Sequence, residues 1–312
     1  MARSRYYGGR KTTGWANSKR RKSRSKSRRS YAKKRTYRKR PMTKRAILNV
    51  TSRKKRNGML SWSNTNASTG ASATIGVGSA SVTGNVTGLF MFCPTAMNLN
   101  QGTTMPNYAI NIPERTASQC YMRGFAENLR IQTNSHLAWF HRRICFTYRG
   151  LGPLNSINNA DTPTQTYAPY IDTTNGMERI WLNMLVNNMQ ATVSAQWSNI
   201  FKGTANQDWN DAVVAPVDTA RVDLKFDKTW LIKSGNESGT IVERKLWHPM
   251  NKTLVYDDDE TGESMVSSYY SVDSRQGMGD YYVYDIFQAG LGGSTSDLIN
   301  ISSNSTLYWH EK

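Results

Sequence analysis

Apolar and polar residues alternate with a period of two along much of the chain, and that spacing predicts strands rather than helices. Phe125, Leu129 and Ile131 alternate with Ala126, Asn128, Arg130 and Gln132. After Asn134-Ser135 a second run covers 137–148, in which Phe140, Ile144, Phe146 and Tyr148 share one parity. Two such runs about an Asn-Ser tip predict a hairpin. The sharpest alternation puts Val222, Leu224, Phe226, Trp230 and Ile232 on one face and Arg221, Asp223, Lys225 and Asp227 on the other. Further strands are expected at 240–248, 252–256, 266–272, 281–287 and 306–310, separated by clusters of Gly, Asn, Asp and Ser. Residues 61–88, rich in Ser, Thr, Gly, Asn and Ala, read as weak strands or an extended linker. One segment departs from the pattern: over 177–189, Ile180, Leu185 and Met189 recur at helical spacing with Trp181 and Met184 beside them, which predicts a short helix.

Many strands, polar turns and little helix point to an all-β sandwich or barrel. Jelly rolls accommodate long inter-strand loops, and 151–220 has the length of one. The expected architecture is therefore a jelly-roll domain over 59–312, with one or two short helices in long loops. That span is large enough for a single sizeable core.

The first 58 residues belong to a different class of sequence. Met1 to Arg56 hold 24 of the 41 Lys and Arg, and no acidic residue occurs before Glu114. The remaining 17 cations are outnumbered by the 22 Asp and Glu, so a cationic arm precedes a mildly acidic body. Self-repulsion and a lack of apolar residues predict an arm that is disordered without a polyanion. The densest clusters are Arg20, Arg21, Lys22, Arg24, Lys26, Arg28 and Arg29, then Lys33, Lys34 and Arg35, then Arg38, Lys39 and Arg40. These are the expected phosphate contacts, each neutralising roughly one phosphate. Tyr6, Tyr7, Trp15, Tyr31 and Tyr37 are interspersed among the charges. Stacking on unpaired bases is open to such rings, which favours a single-stranded partner over a duplex. Lys33, Lys34, Arg35, Arg38, Lys39 and Arg40, and separately Arg53, Lys54, Lys55 and Arg56, also fit a nuclear-import address, which makes a host import receptor a second expected partner.

Other chemistry finds little support. Cys93, Cys120 and Cys145 form no C-x-x-C pair, so neither a disulfide framework nor a zinc ribbon is expected. Cys120, His136, His141 and Cys145 have metal-binding side chains at spacings that match no familiar finger. The run Asp257-Asp258-Asp259-Glu260 with Glu263 resembles a calcium loop until the twelfth position, where Ser268 replaces the required Glu. A solvated hairpin tip or an inter-subunit charge contact is the plainer reading. No phosphate loop, nucleophile elbow, H-E-x-x-H or H-x-H pair occurs, so neither enzyme nor cofactor is expected. No apolar stretch is long enough for a membrane span, and no secretory leader is expected at the start.

Several segments carry a likeness in their order: 88–95 (GLFMFCPT), 141–150 (HRRICFTYRG), 247–252 (WHPMNK) ahead of the Asp257 cluster, 277–285 (GMGDYYVYD) and the closing LYWHEK. Together they resemble the capsid proteins of genomoviruses of the gemycircularvirus type, relatives of geminivirus coat proteins. The resemblance covers roughly 85–312 and implies a jelly-roll subunit, a homo-oligomeric icosahedral (T=1) shell of about sixty copies and a packaged circular single-stranded DNA genome. It also implies a virion protein that reaches the host nucleus. Geminivirus shuttle proteins resemble the coats, so a nuclear shuttle or movement protein that binds viral single-stranded DNA without building a shell is the alternative.

Overall fold

The computed structural model describes residues 41–312 apart from 103, 104 and 151, and Lys44–Lys312 form one compact unit. The chain opens with α1 (Lys44–Thr51), β1 (Arg53–Met59), β2 (Ser61–Thr65), β3 (Ser72–Val77), β4 (Ala80–Thr83) and β5 (Gly88–Phe92). Next come the two-residue β6 (Asn100–Gln101) and β7 (Met105–Pro106), then the long β8 (Gln119–Thr133) and β9 (Trp139–Tyr148). The excursion that follows holds β10 (Ile171–Thr173), β11 (Gly176–Trp181) and α2 (Gln190–Ile200). β12 (Asp223–Ile232), β13 (Ile241–Val255), the small hairpin β14 (Asp259–Thr261) and β15 (Ser264–Val266), β16 (Asp280–Ala289) and β17 (Leu298–Glu311) complete the chain.

Two sheets face one another. The first runs β1-β17-β8-β13, with β4 also on β17; the second runs β12-β9-β16-β5. Pairing is antiparallel and nested: β1 and β4 with β17, β5 with β16, β8 with β13, β9 with β12. This is one long hairpin wound upon itself, the topology of a jelly roll. Across the sandwich Phe92 meets Phe125 at 5.9 Å and His248 meets Phe226 edge-on at 5.0 Å, while within the first sheet His248 stacks on its register partner Phe125 at 6.4 Å. A third sheet, β10-β11-β2-β3, includes a parallel pairing of β11 with β2.

Several expectations need correction. The arm was expected to extend to residue 58, but α1 begins at Lys44 and β1 is an edge strand of the first sheet, in register with Ser305–Glu311 of β17. The hairpin expected at Asn134-Ser135 is a crossing between sheets: β8 pairs with β13 and β17, while β9 pairs with β12 and β16. Asn134 is tied to β17 rather than closing a turn, accepting from Leu298 N and donating to Ser296 O. The strands expected at 240–248 and 252–256 are one strand with a bulge between Pro249 and Lys252, and Asn251 takes a left-handed φ of 51° there.

The helix expected over 177–189 is displaced. Met177–Trp181 lie in β11, paired to β10 and β2, and the helix starts at Gln190. Its buried face is Thr192, Val193, Gln196 and Ile200, too polar a stripe to stand out in the sequence. Its N-terminus is capped from a distant loop, since the Asp161 carboxylate accepts from Ala191 N (2.9 Å), Thr192 N (2.6 Å) and the Thr192 hydroxyl (2.6 Å).

Candidate nucleic-acid interface

Arg20 to Arg40 of the expected phosphate-binding set lie outside the described residues, as do Tyr6, Tyr7, Trp15, Tyr31 and Tyr37. Arg53, Lys54, Lys55 and Arg56 are described, and the strand period divides them. Lys54 and Arg56 point outward with His310 and Tyr308, their register partners. Lys55 points inward beside Trp309, and its side chain is only 3% exposed. It is therefore withdrawn from the import address assigned to it, because an address must be offered with its charges free.

The inward turn of Lys55 anchors the root of the arm. Its Nζ lies 3.3 Å from a Glu311 carboxylate oxygen and donates to Glu114 O at 2.6 Å and Thr116 Oγ1 at 3.2 Å. Glu311 also accepts from Thr116 N (3.0 Å), Thr116 Oγ1 (2.6 Å) and Trp309 Nε1 (2.8 Å). Burial alone would raise the Glu311 carboxyl; the hydrogen bonds from Thr116 and Trp309 and the Lys55 ammonium outweigh it and hold it below the ordinary range. Two carboxylate oxygens with this many donors form a satisfied buried pair, so loss of either partner leaves a stranded charge.

Between the two sheets sits a charge cluster that the periodicity reading missed. Arg143 of β9 is the register partner of Asp285 on β16, with Nε–Oδ1 at 2.7 Å and Nη2–Oδ2 at 2.9 Å. Arg143 also lies 2.5 Å from Glu127 of β8. Arg179 of β11 closes the square, meeting Glu127 at 2.8 Å and Asp285 at 3.0 Å, with its guanidinium 3.7 Å over the Trp181 ring. All four side chains are fully buried, and two positive charges balance two negative ones. Burial would raise both carboxyls; the arginines overcome it and pull Glu127 and Asp285 low.

His141 completes the cluster. Its Nδ1 lies 2.7 Å from Arg244 Nη1, which can only donate, so Nε2 carries the proton and donates to Asp285 at 2.9 Å. Burial depresses the ring to about 4, so it is neutral at neutral pH. A sequence signal for this cluster did exist. Glu127 falls on the parity of Phe125, Leu129 and Ile131, and Asp285 on that of Tyr281, Val283 and Phe287, whereas Arg143 falls opposite to Phe140, Ile144, Phe146 and Tyr148 and gave no such signal. A carboxylate at core parity must find a buried cation, so the two carboxylate positions mark where partners were to be sought.

The other candidate residues are dispersed. Cys120 packs against Glu311 at 3.7 Å, Cys145 against His248 at 3.7 Å, and His141 is held as described. All three cysteines are free and buried, and burial pushes the Cys145 thiol up to about 12. Among the described residues no group of His, Cys, Asp and Glu is placed to hold a metal ion. The acidic run is split as well: Asp258 turns inward to a bidentate contact with Arg115 at 2.6 and 3.0 Å, while Asp259 and Glu260 stay exposed on the β14–β15 hairpin. A cleft of about 700 Å³ opens beside the root of the arm, lined in part by Asn98, Asn100, Gln101, Glu114, Asp172 and Tyr269.

No family model matches the chain, and no curated protein matches it.

Proposed function

We propose that this chain is a structural capsid protein that assembles with copies of itself into a small icosahedral shell and packages circular single-stranded DNA through its basic N-terminal arm. The observation that carries the reading is the charge division: 24 cations and no acid by Arg56, ahead of a jelly-roll body with an excess of carboxylates. About sixty such arms supply on the order of a thousand positive charges, commensurate with a small genome at roughly one charge per phosphate. A body near neutrality can pack against its own copies, where a strongly cationic one would repel them. β1 supports the reading mechanically, since it ties the cationic segment to the C-terminal strand by register pairing and a buried ion pair. Import through 33–40, with a virion and host-nuclear location, belongs to the same proposal.

Electron microscopy of the purified full-length protein, followed by nuclease treatment and extraction, tests it. Uniform particles a few tens of nanometres across, protecting single-stranded DNA, are expected. DNA bound by protein that never forms shells would favour a shuttle protein; protected RNA would favour a cellular RNA-binding protein with an Arg/Ser tail.

A further inference from the structure

Because side chains alternate along strands, register pairs place a defined set of residues on the outward face of the first sheet. Lys54, His310, Tyr121 and Thr253 form one row across β1, β17, β8 and β13. Arg56, Tyr308, Gly124 and Pro249 form the next, followed by Gly58, Thr306, Ala126 and Trp247. Beyond them come Asn304, Asn128 and Lys245, then Ser302, Arg130 and Glu243. From His310 to Ser302 the face is roughly 26 Å long at about 3.3 Å per residue.

Two features set this face apart. The first is aromatic. Trp247 is 50% exposed, yet its ring is held in place: it reaches over Gly124 of β8 and meets Tyr308 at 5.8 Å, the two rings inclined at 59°. Gly124 makes this possible, since a Cβ there would lie 2.6 Å from the indole. Tyr121, 37% exposed, pairs with His310 at 6.1 Å. The second feature is charge. Lys54, Arg56, Arg123, Arg130 and Lys245 surround these rings, and none of them is in an ion pair among the described residues. Glu243 is the carboxylate that shares the face. Arg123 is fixed toward it by donating to Asn251 at 2.6 Å in the β13 bulge. His310 responds to this field: partial burial, then Arg123 and Lys54, push its ring below the ordinary value.

We infer that the outward face of β1-β17-β8-β13 is a second contact surface for single-stranded nucleic acid, with Trp247–Tyr308 and Tyr121–His310 as base-stacking platforms and Lys54, Arg56, Arg123 and Lys245 as phosphate contacts. This rests on the packaging reading and extends it from the arm to the folded body. Unpaired bases suit the face because each offers a ring surface to stack, while the strand's phosphates match the surrounding cations. The face also carries Lys54 and Arg56 of the basic run Arg53–Arg56, next in sequence to the cationic segment.

Photocrosslinking of the full-length protein to a thymidine oligonucleotide carrying 5-iodouracil, with adducts mapped by mass spectrometry, tests this directly. Adducts at Trp247, Tyr308 or Tyr121, alongside those on the arm, are expected. Trp247→Ala should weaken oligonucleotide binding about five- to a hundred-fold at a salt concentration that screens the arm. Lys245→Gln, a change at an exposed position outside the ion pairs, should reduce the slope of log affinity against log salt by roughly 0.7. Adducts confined to the arm, with both variants at parental affinity, would overturn the inference and leave the packaging proposal standing. Absence of binding and of adducts anywhere would instead remove the packaging proposal. Variants that keep parental affinity but no longer assemble would assign the face to a second copy of the chain and overturn the inference.

Discussion

The two faces of one sheet use the same residue types in opposite ways. Inward, Lys55, Glu127 and Glu311 are buried and each charge is met by a partner of opposite sign. Outward, Lys54, Arg56, Arg130 and Lys245 stand in solvent or half-solvent among rings. A single residue's shift along β1 converts a structural cation into a free one. Charge is therefore an anchor on one side and a bait on the other, and the strand period sorts the roles.

The largest test of this contrast is truncation. Removing residues 1–56 takes away most of β1 with Lys55, uncovers the edge of β17 and strands Glu311, so the body should lose its cooperative thermal transition. Removing 1–43 spares both and should leave that transition in place while nucleic-acid retention falls to the weaker binding of the outward face alone. If both truncations melt alike, β1 is not the anchor described.

Next in size is the buried square. Arg143→Met leaves Arg179 as the one cation shared by Glu127 and Asp285, and should cost about 3–5 kcal/mol in denaturant unfolding. Lys55→Met should cost close to the lower end of that range by stranding Glu311. Its neighbour Lys54→Met should stay within about 0.5 kcal/mol. Equal losses from the two lysine variants would contradict the sorting of faces.

Acid should probe the interior more gently. His141 and His248 are depressed to about 4 by burial, so they take up protons more readily when unfolded. Their contribution is complete above 6.5 and falls as pH drops from 6.5 toward 4. Below that range Glu127 and Asp285, held low by the arginines, add to the loss. Asp280 has the opposite sign: burial raises it to about 7, so its contribution is complete below 3.8 and is lost as pH rises through 7. Urea midpoints measured across pH should peak between these limits, and Asp280→Asn should flatten the decline on the alkaline side.

Strands with one wet face were readable face by face, whereas β9 and β16, buried on both faces, were legible as strands but not in which side chain turns where. β12 alternates as expected because Asp223, Lys225 and Asp227 meet solvent. In β9 both parities are buried, since Arg142 also reaches Ala212 O and Ala215 O in the long excursion. There the pattern lost its meaning, and with it the positions of Arg143 and His141. The crossing at Asn134 looked like a hairpin because a turn's chemistry does not say which sheet the next strand joins. Trp247 sat in an expected strand, yet its platform depends on Gly124, a residue across the sheet that no local window contains. The five rings of the arm lie outside the described residues, whereas finding those of the sheet needed register.

β17 comes last in the strand order and is yet an interior member of its sheet, bordered by β1, β4 and β8. Until residues 298–311 are in place the first sheet lacks the strand that joins its two halves. Its closure therefore waits on pairings between segments far apart in the chain, a long-range step whose loop-closure cost falls before the reward.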